Sequence, residues 1–158
     1  MKKLNVKALI IRIAIPLAVG GLSSLLTMDG FEMYKTVAKP PLSPPAIVFP
    51  IVWSILYIVM GIASYLVYTA PYDYGTRMQS LTLYFIHLVI NFAWPIIFFN
   101  MKTYFAAFIW LLFLWVAVFS VTVSFGKIKK LSAWLMIPYL VWVAFAGYLN
   151  YGVWVLNR

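Results

Sequence analysis

The sequence predicts an all-α integral membrane protein, a bundle of five transmembrane helices. Of its 158 residues, 65% are hydrophobic and only 9% are charged, whereas a soluble domain usually carries about a quarter charged residues. Four long apolar runs contain no charged residue and a fifth contains one, and about 20 residues of helix cross the bilayer core. The runs are continuous and lack the alternation of a transmembrane β-barrel.

The five helices follow one another in a single membrane domain that takes up the whole chain, 1–158. The predicted helices cover residues 8–27, 46–69, 79–100, 103–125 and 131–156. Arg12 interrupts the first helix about one turn from its start, where a long side chain can reach the interface. A single helix over the third and fourth runs would be longer than the membrane is thick. We therefore expect a tight hairpin there, with Lys102 at the surface.

The longest connection, residues 28–45, is rich in proline. Its four prolines are Pro40, Pro41, Pro44 and Pro45, and proline favours extended or turn backbone. The segment is either a rigid lid over the mouth of the bundle or simply the end of one helix and the start of the next. The residues alone favour neither interpretation.

The scarcity of reactive side chains narrows the chemistry. The chain has no cysteine, one histidine (His87) and three acids, which are Asp29, Glu32 and Asp73. Thiolate and multi-histidine metal sites are therefore excluded, and we predict no metal and no required cofactor. Most hydrolases use a carboxylate or a histidine in a defined partnership, so the composition speaks against an ordinary enzyme without deciding the question.

The net charge of +9 is distributed as in a membrane protein. Lysines and arginines stand at the ends of the apolar runs, where they orient the protein and meet lipid headgroups. No basic face remains for nucleic acid. One side is richer in cations, so we expect it, and the N-terminus with it, to be cytoplasmic. Its cations are Lys2, Lys3, Lys7, Arg77, Lys127, Lys129 and Lys130.

Polar and aromatic residues at membrane depth fall on three helix faces. On the third helix His87, Asn91 and Trp94 are spaced i, i+4, i+7 and share a face. Pro95 follows and removes the N–H that would bond to the Asn91 carbonyl. Polar groups at this depth need partners in the protein or a wet cavity. This face is therefore expected to point into the bundle.

The second and fifth helices carry comparable aromatic faces. These faces are Pro50, Trp53 and Tyr57 on the second helix, and Pro138, Trp142, Ala146 and Leu149 on the fifth. With the third helix they could enclose an aromatic pocket for a large, flat, apolar molecule. Taken singly, each tryptophan also fits a structural role, and His87 fits a helix-to-helix hydrogen bond as well as a ligand contact.

Two further sets of residues are expected to face outward. Trp110 and Trp115 on the fourth helix are typical of aromatic side chains that pack against lipid or the interface. Small residues on the first helix could let a neighbouring helix pack closely. This set consists of Gly20, Gly21, Ser23 and Ser24.

Three blocks of sequence, in order, carry a family resemblance. They are Lys39-Pro40-Pro41-Leu42-Ser43-Pro44-Pro45 with Phe49-Pro50, Trp53 and Leu56-Tyr57, then Asn91-Phe92-Ala93-Trp94, and last Pro138-Tyr139-Leu140-Val141-Trp142 with Ala144-Phe145-Ala146. In these blocks the chain resembles a bacterial-type member of the translocator protein family. That family is also called TspO/MBR, tryptophan-rich sensory proteins or peripheral-type benzodiazepine receptors.

The resemblance implies a five-helix bundle, often a homodimer, in a bacterial cell membrane, with a pocket lidded by residues 28–45. It implies a receptor, sensor or transporter for porphyrins such as protoporphyrin IX or haem, and for apolar drug-like ligands. The alternatives are light-dependent porphyrin degradation by Trp53 and Trp142, or a ligand-regulated scaffold. Matched to the motifs, the pocket residues are Tyr34, Pro44, Phe49, Trp53, Tyr57, Asn91, Trp94, Trp142, Phe145 and Ala146.

The chain departs from the family pattern at three places. Met33 stands where many relatives have the first of two aromatic residues, and Leu42 where a tryptophan often follows the Lys-Pro motif. Both thin the aromatic content of the lid. The sterol pattern allows at most five residues between Tyr151 and a basic residue, and here six residues precede Arg158. We therefore do not predict sterol binding.

Overall fold

The structure, a computed structural model, describes residues 3–158, so the predicted cytoplasmic cation Lys2 lies outside the described residues. The described part is helical without strands, and five of its helices are long and apolar enough to cross a membrane. The predicted fold class is confirmed. The helices are α1 (Val6–Leu26), α2 (Gly30–Thr36), α3 (Val48–Thr69), α4 (Tyr74–Pro95), α5 (Tyr104–Ile128) and α6 (Lys130–Leu156), with a π-helical turn, Ile96–Asn100, after α4.

The five long helices close into a ring. α1 packs on α3, α3 on α6, α6 on α5, α5 on α4 and α4 again on α1. A single non-helical residue, Lys129, joins α5 and α6, so these helices form an antiparallel hairpin. The turn between the π-helical segment and α5 contains exposed Lys102, whose φ of 53° lies in the left-handed region. This turn agrees with the hairpin expected at this position.

The N-termini of α1 and α4 are set by side-chain caps. Asn5 accepts a hydrogen bond from the Ala8 amide at 3.0 Å, and α1 begins two residues earlier than predicted. Asp73 accepts from the Thr76 amide at 2.8 Å and from its hydroxyl at 2.9 Å. α4 therefore begins five residues earlier than predicted. The predicted start followed Arg77, where the charge-free run begins, whereas the Asp73 cap starts the helix before that charge.

The connection between α1 and α3 contains a helix that the proline pattern did not suggest. α2 lies against the π-helical turn, and Gly30 allows this approach because an added Cβ would lie 2.8 Å from the Phe99 ring. The Tyr34 side chain of α2 is buried. The lid, defined as residues 28–45, therefore consists of α2 followed by a non-helical proline segment that turns at Leu42, whose φ is 68°.

The backbone around Pro95 is completed by side chains from neighbouring helices. Trp110 on α5 donates its indole N–H to the Ile90 carbonyl at 2.8 Å, and Ser23 on α1 donates to the Phe92 carbonyl at 3.1 Å. Pro95 removes the helical partner of the Asn91 carbonyl, and the two carbonyls that accept from other helices are those on either side of Asn91. The expectation that Trp110 only faces lipid was wrong, since its polar end joins two helices.

Candidate functional site

A cavity of about 300 Å³ lies at the lid end of the bundle. It is walled by the C-terminal half of α1, by α2, by the N-terminal half of α3, and by the C-terminal parts of α4 and α6. Five lining residues are exposed: Phe31 on α2, and Gly21, Ser24, Pro50 and Ser54, which mark a gap between α1 and α3. The cavity is thus bounded by the lid at one end and by the core of the bundle at the other, and it opens sideways at this gap.

The cavity brings together seven of the residues predicted for the pocket. These are Tyr34, Phe49, Trp53, Tyr57, Asn91, Trp94 and Ala146. Their rings are packed against one another: Trp53 stacks on Tyr57 with centroids 5.6 Å apart, and Tyr34 meets Phe49 edge to face at 5.1 Å. Such contacts hold the aromatic walls in one arrangement.

Four predicted pocket residues, Pro44, His87, Trp142 and Phe145, do not line this cavity. Pro44 acts through its backbone, because its carbonyl accepts a hydrogen bond from the Tyr34 hydroxyl at 2.6 Å. Trp142 stands one ring further out, edge to face with the cavity residue Phe49 at 6.0 Å. Phe145 packs on Trp142 at 5.5 Å. These side chains support the wall from behind.

His87 is fully buried behind the cavity wall, in a chain of hydrogen bonds. Tyr57 donates to the Asn91 side-chain oxygen at 2.9 Å, and Asn91 donates its amide nitrogen to the Tyr139 hydroxyl at 2.6 Å. His87 Nδ1 lies 2.5 Å from the Tyr84 carbonyl, and Nε2 lies 3.2 Å from the Tyr139 hydroxyl. A carbonyl only accepts, so Nδ1 carries the proton, and Nε2 of the neutral ring accepts from Tyr139. Of the two roles open to His87, the structure places it in the helix-to-helix bond.

A second buried pair, Trp94 and Asn150, fixes another part of the cavity wall. Trp94 on α4 donates its indole N–H to the side-chain oxygen of Asn150 on α6 at 3.0 Å. The Asn150 amide nitrogen donates in turn to the Tyr104 carbonyl at 2.8 Å. One asparagine therefore connects α4, α5 and α6 at the depth of the cavity, and it holds the Trp94 ring in place.

Most hydrogen-bond donors around the cavity are already engaged by the protein. Tyr57 and Trp94 donate to asparagine side chains, as described above. The lining hydroxyls of Ser23, Thr27, Tyr34 and Ser54 donate to backbone carbonyls at 2.6–3.1 Å. Among the lining side chains described, Ser24 and Trp53 donate no hydrogen bond, and the amides of Asn91 and Asn150 each donate one. The cavity therefore offers aromatic and apolar surface with few polar demands.

Sequence reasoning missed the contribution of α1. Gly20, Gly21 and Ser24 line the cavity, although their small size suggested a surface for another helix. An added Cβ on Gly20 would collide with the Tyr57 ring, whereas one on Gly21 would meet nothing within 4 Å. The signal was present as a run of small residues, but it did not reveal that the close neighbour belongs to the same chain.

The lid is fastened to the C-terminal part of α6. Asn157 accepts from the Ala38 amide at 3.1 Å and donates to the Ala38 carbonyl at 2.8 Å, and Tyr148 donates to the Pro41 carbonyl at 2.8 Å. Gly152 lies directly against Pro40, with no room for a Cβ. These contacts hold the proline segment against α6, and α2 of the same connection lines the cavity, which favours the lid interpretation of the 28–45 connection.

Within the lid, Tyr34 joins α2 to the proline segment. Its hydroxyl donates to Pro44, while the Lys39 ammonium donates to the Tyr34 carbonyl at 2.7 Å and to the Val37 carbonyl at 3.2 Å. Burial raises the pKa of the Tyr34 phenol above its ordinary value. The hydroxyl therefore stays protonated at neutral pH and remains a donor to the Pro44 carbonyl.

The chain is similar to known proteins over nearly its whole length. The model of the TspO/MBR family matches residues 12–155. Tryptophan-rich protein TspO of Chlorobaculum tepidum is 34% identical over 146 residues, which cover 92% of each chain. Protein CrtK of Rhodobacter capsulatus is 34% identical over 124 residues, 78% of each chain. The translocator protein of Homo sapiens is 38% identical over 131 residues, 82% of this chain and 78% of that one.

Proposed function

This chain belongs to the TspO/MBR family, and on that premise we propose that it is a membrane receptor or transporter for flat, apolar ligands of the tetrapyrrole class. The observation that carries the proposal is the lidded cavity, whose aromatic walls come from three helices and whose polar groups mostly bond to the protein itself. We therefore assign the proposed ligand binding to this cavity.

The chemistry of the walls favours planar conjugated molecules. The rings of Phe49, Trp53 and Trp94 offer faces and edges for stacking. A polar ligand would lose its hydrogen bonds to water and find few replacements here, at a cost of about 1–3 kcal/mol for each unpaired group. A largely apolar ring system avoids that cost and gains from burial.

The size of the cavity bears on how a tetrapyrrole would enter. The volume of about 300 Å³ lies at the lower end of the range for small-molecule sites, roughly 300–1,000 Å³. A drug-sized ligand fits this closed form, whereas a porphyrin ring needs more room. We therefore propose that the lid moves away from α6 when a porphyrin binds, or that the ring protrudes through the gap between α1 and α3.

Titration of the purified protein with protoporphyrin IX tests the binding proposal through tryptophan fluorescence. Trp53→Phe removes an indole on the cavity wall, and we expect it to abolish a clear part of the ligand-induced quenching. Trp115→Phe is the matched control, because Trp115 lies outside the cavity and stacks on Phe119 of its own helix. Identical quenching in wild type and Trp53→Phe would refute the assignment of the cavity.

Light-driven oxidation of a bound porphyrin is a second candidate function, favoured by the positions of two indoles. Trp53 lines the cavity, and the Trp142 indole nitrogen is buried with no partner among the described residues. Either indole could give one electron to the excited porphyrin, which passes it to dioxygen to form superoxide. The indole radical cation then takes an electron back from the porphyrin, so the net step oxidises the porphyrin and reduces dioxygen by one electron each. Illumination of the aerobic complex tests this. Loss of porphyrin absorption no faster than in empty micelles would exclude turnover by the protein.

A further inference from the structure

Arg12 is a cation within the spanning helix α1 and has no acidic partner. The three acids of the chain, Asp29, Glu32 and Asp73, lie outside the five spans. The Nη1 atom of Arg12 is buried and makes no hydrogen bond to any described residue. An unpaired charge at membrane depth is costly. The guanidinium therefore needs a counter-group that this chain does not supply.

Aromatic rings hold the guanidinium of Arg12 in position. Its central carbon lies 4.3 Å from the ring centroid of Tyr68 on α3 and 5.8 Å from that of Phe85 on α4. Ring faces attract the cation, but they leave its N–H donors unused. Nη1 in particular still lacks an acceptor oxygen among the described residues.

Tyr68 also lines a polar groove of about 830 Å³ at the surface of the same end of the bundle. The groove contains Lys3, Asp73 and Arg77, so with Arg12 the region carries three cations and one acid. Helical side chains lean toward the N-terminus of their helix, and on α1 that direction leads from Arg12 toward the groove. Arg77 is already engaged by the carbonyls of Tyr68 and Tyr72, which leaves Arg12 and Lys3 for an anion.

We propose that Arg12 and Lys3 bind the phosphate of an anionic membrane phospholipid whose headgroup occupies this groove. A guanidinium presents paired N–H donors that match phosphate oxygens. The lipid is favoured over a free phosphate because Arg12 lies below the groove, inside the span. Apolar side chains of α4 that continue from Phe85 along the outer surface, Ile86 and Val89, are exposed and could receive an acyl chain.

The experiment uses full-length protein, stripped of lipid in an uncharged detergent and titrated with short-chain phosphatidylglycerol. Native mass spectrometry counts bound lipid, and thermal unfolding measures stabilisation. We expect wild type to bind one phosphatidylglycerol molecule. In Arg12→Met we expect the affinity for this lipid to fall by about tenfold or more, as for removal of a charge-assisted hydrogen bond. Lys102→Met, a cation removed at the opposite end of the bundle, is the matched control and should bind as wild type does.

Further titrations distinguish a lipid headgroup from free phosphate as the bound anion. Phosphatidylcholine should stabilise less than phosphatidylglycerol, and inorganic phosphate at the same concentration should not stabilise at all. Arg12→Lys keeps the charge but loses the paired donors, so an intermediate affinity is expected even if Arg12→Met folds poorly. Equal affinity of wild type and both Arg12 variants would overturn the site. Equal stabilisation by inorganic phosphate would overturn the lipid as its ligand.

Discussion

The side-chain nitrogen of Asn91 donates to the hydroxyl of Tyr139 across 2.6 Å, behind the wall of the cavity. The other end of the Asn91 amide accepts from Tyr57, which lines the cavity, and Tyr139 reaches on to His87. Asn91 and Tyr139 are both nearly fully buried. The shape of the cavity wall therefore depends on a pair of residues of which only Asn91 lines the cavity.

Removing either member of this pair is expected to destabilise the protein. Tyr139→Phe leaves the Asn91 amide nitrogen and His87 Nε2 without a partner. Asn91→Leu does the same to the Tyr57 hydroxyl, while the Tyr139 hydroxyl keeps its bond to His87. Each unpaired buried group costs about 1–3 kcal/mol. Thermal unfolding in detergent, with the double variant completing a mutant cycle, measures the coupling. Comparable membrane pairs couple by about 0.6 kcal/mol on average, and strict additivity would contradict a direct bond.

Two adjacent glycines on α1 give a matched test of the cavity. In Gly20→Ala the new methyl group collides with the Tyr57 ring, whereas in Gly21→Ala it meets open space. We expect Gly20→Ala to displace Tyr57, weaken its bond to Asn91 and lower protoporphyrin IX affinity by about tenfold, as for a loss near 1.4 kcal/mol. Gly21→Ala should stay close to wild type. Equal affinities in the two variants would place the ligand away from Tyr57.

The sequence predicted the spanning helices well because each charge-free run is long enough to decide the matter alone. It placed the start of α4 too late, because Arg77 ended the apolar run while Asp73 was already capping the helix. α2 was missed, since a seven-residue helix with a Glu32–Lys35 pair has no apolar run to reveal it. This helix packs through Gly30 on Phe99 and through the buried Tyr34 side chain.

The candidate site was predictable only in part, for a geometric reason. Helical spacing identifies a face but not where along that face a cavity ends. His87 shares the face of Asn91 one turn away, yet the Tyr139 hydroxyl lies against it and closes the cavity there. The contribution of Gly20 and Gly21 depended on which helix packs on α1, and spacing within one helix contains no such information.

Two glycines on α6 test whether the lid is held closed at its proline segment. The new methyl group in Gly152→Ala would push against Pro40. In Gly147→Ala it would make an ordinary contact with Leu111 at 3.8 Å. In Gly152→Ala we expect faster amide hydrogen exchange around Ala38 and faster release of a bound ligand. Gly147→Ala should exchange as wild type does. Unchanged exchange in both variants would mean that the lid is held by other contacts.

The orientation in the membrane is open to a direct chemical test. The positive-inside rule predicts that Lys129 faces the cytoplasm and Lys102 the opposite side. The chain has no cysteine, so Lys129→Cys and Lys102→Cys each introduce a single thiol. In intact bacterial cells that express the protein, a membrane-impermeant maleimide should label Lys102→Cys and spare Lys129→Cys until the cells are opened. The reverse pattern would invert the predicted topology.

The Asp73 cap predicts a specific acid sensitivity of α4. Hydrogen bonds from the Thr76 amide and hydroxyl hold the pKa of the Asp73 carboxyl below its ordinary value. A group with a lowered pKa in the folded state stabilises the protein above its unfolded-state pKa, and this contribution is lost as the pH falls through the folded-state pKa.

Asp73→Asn is the matched variant, because its amide oxygen can still accept from Thr76 but does not titrate. We expect wild type to unfold at a higher temperature than Asp73→Asn at neutral pH, since the charged acceptor also interacts favourably with the helix N-terminus. From about pH 4 downward this difference should shrink and then vanish. Thermal unfolding of both proteins across that range measures it, and a difference that does not change with pH would show that the Asp73 carboxylate does not stabilise the cap.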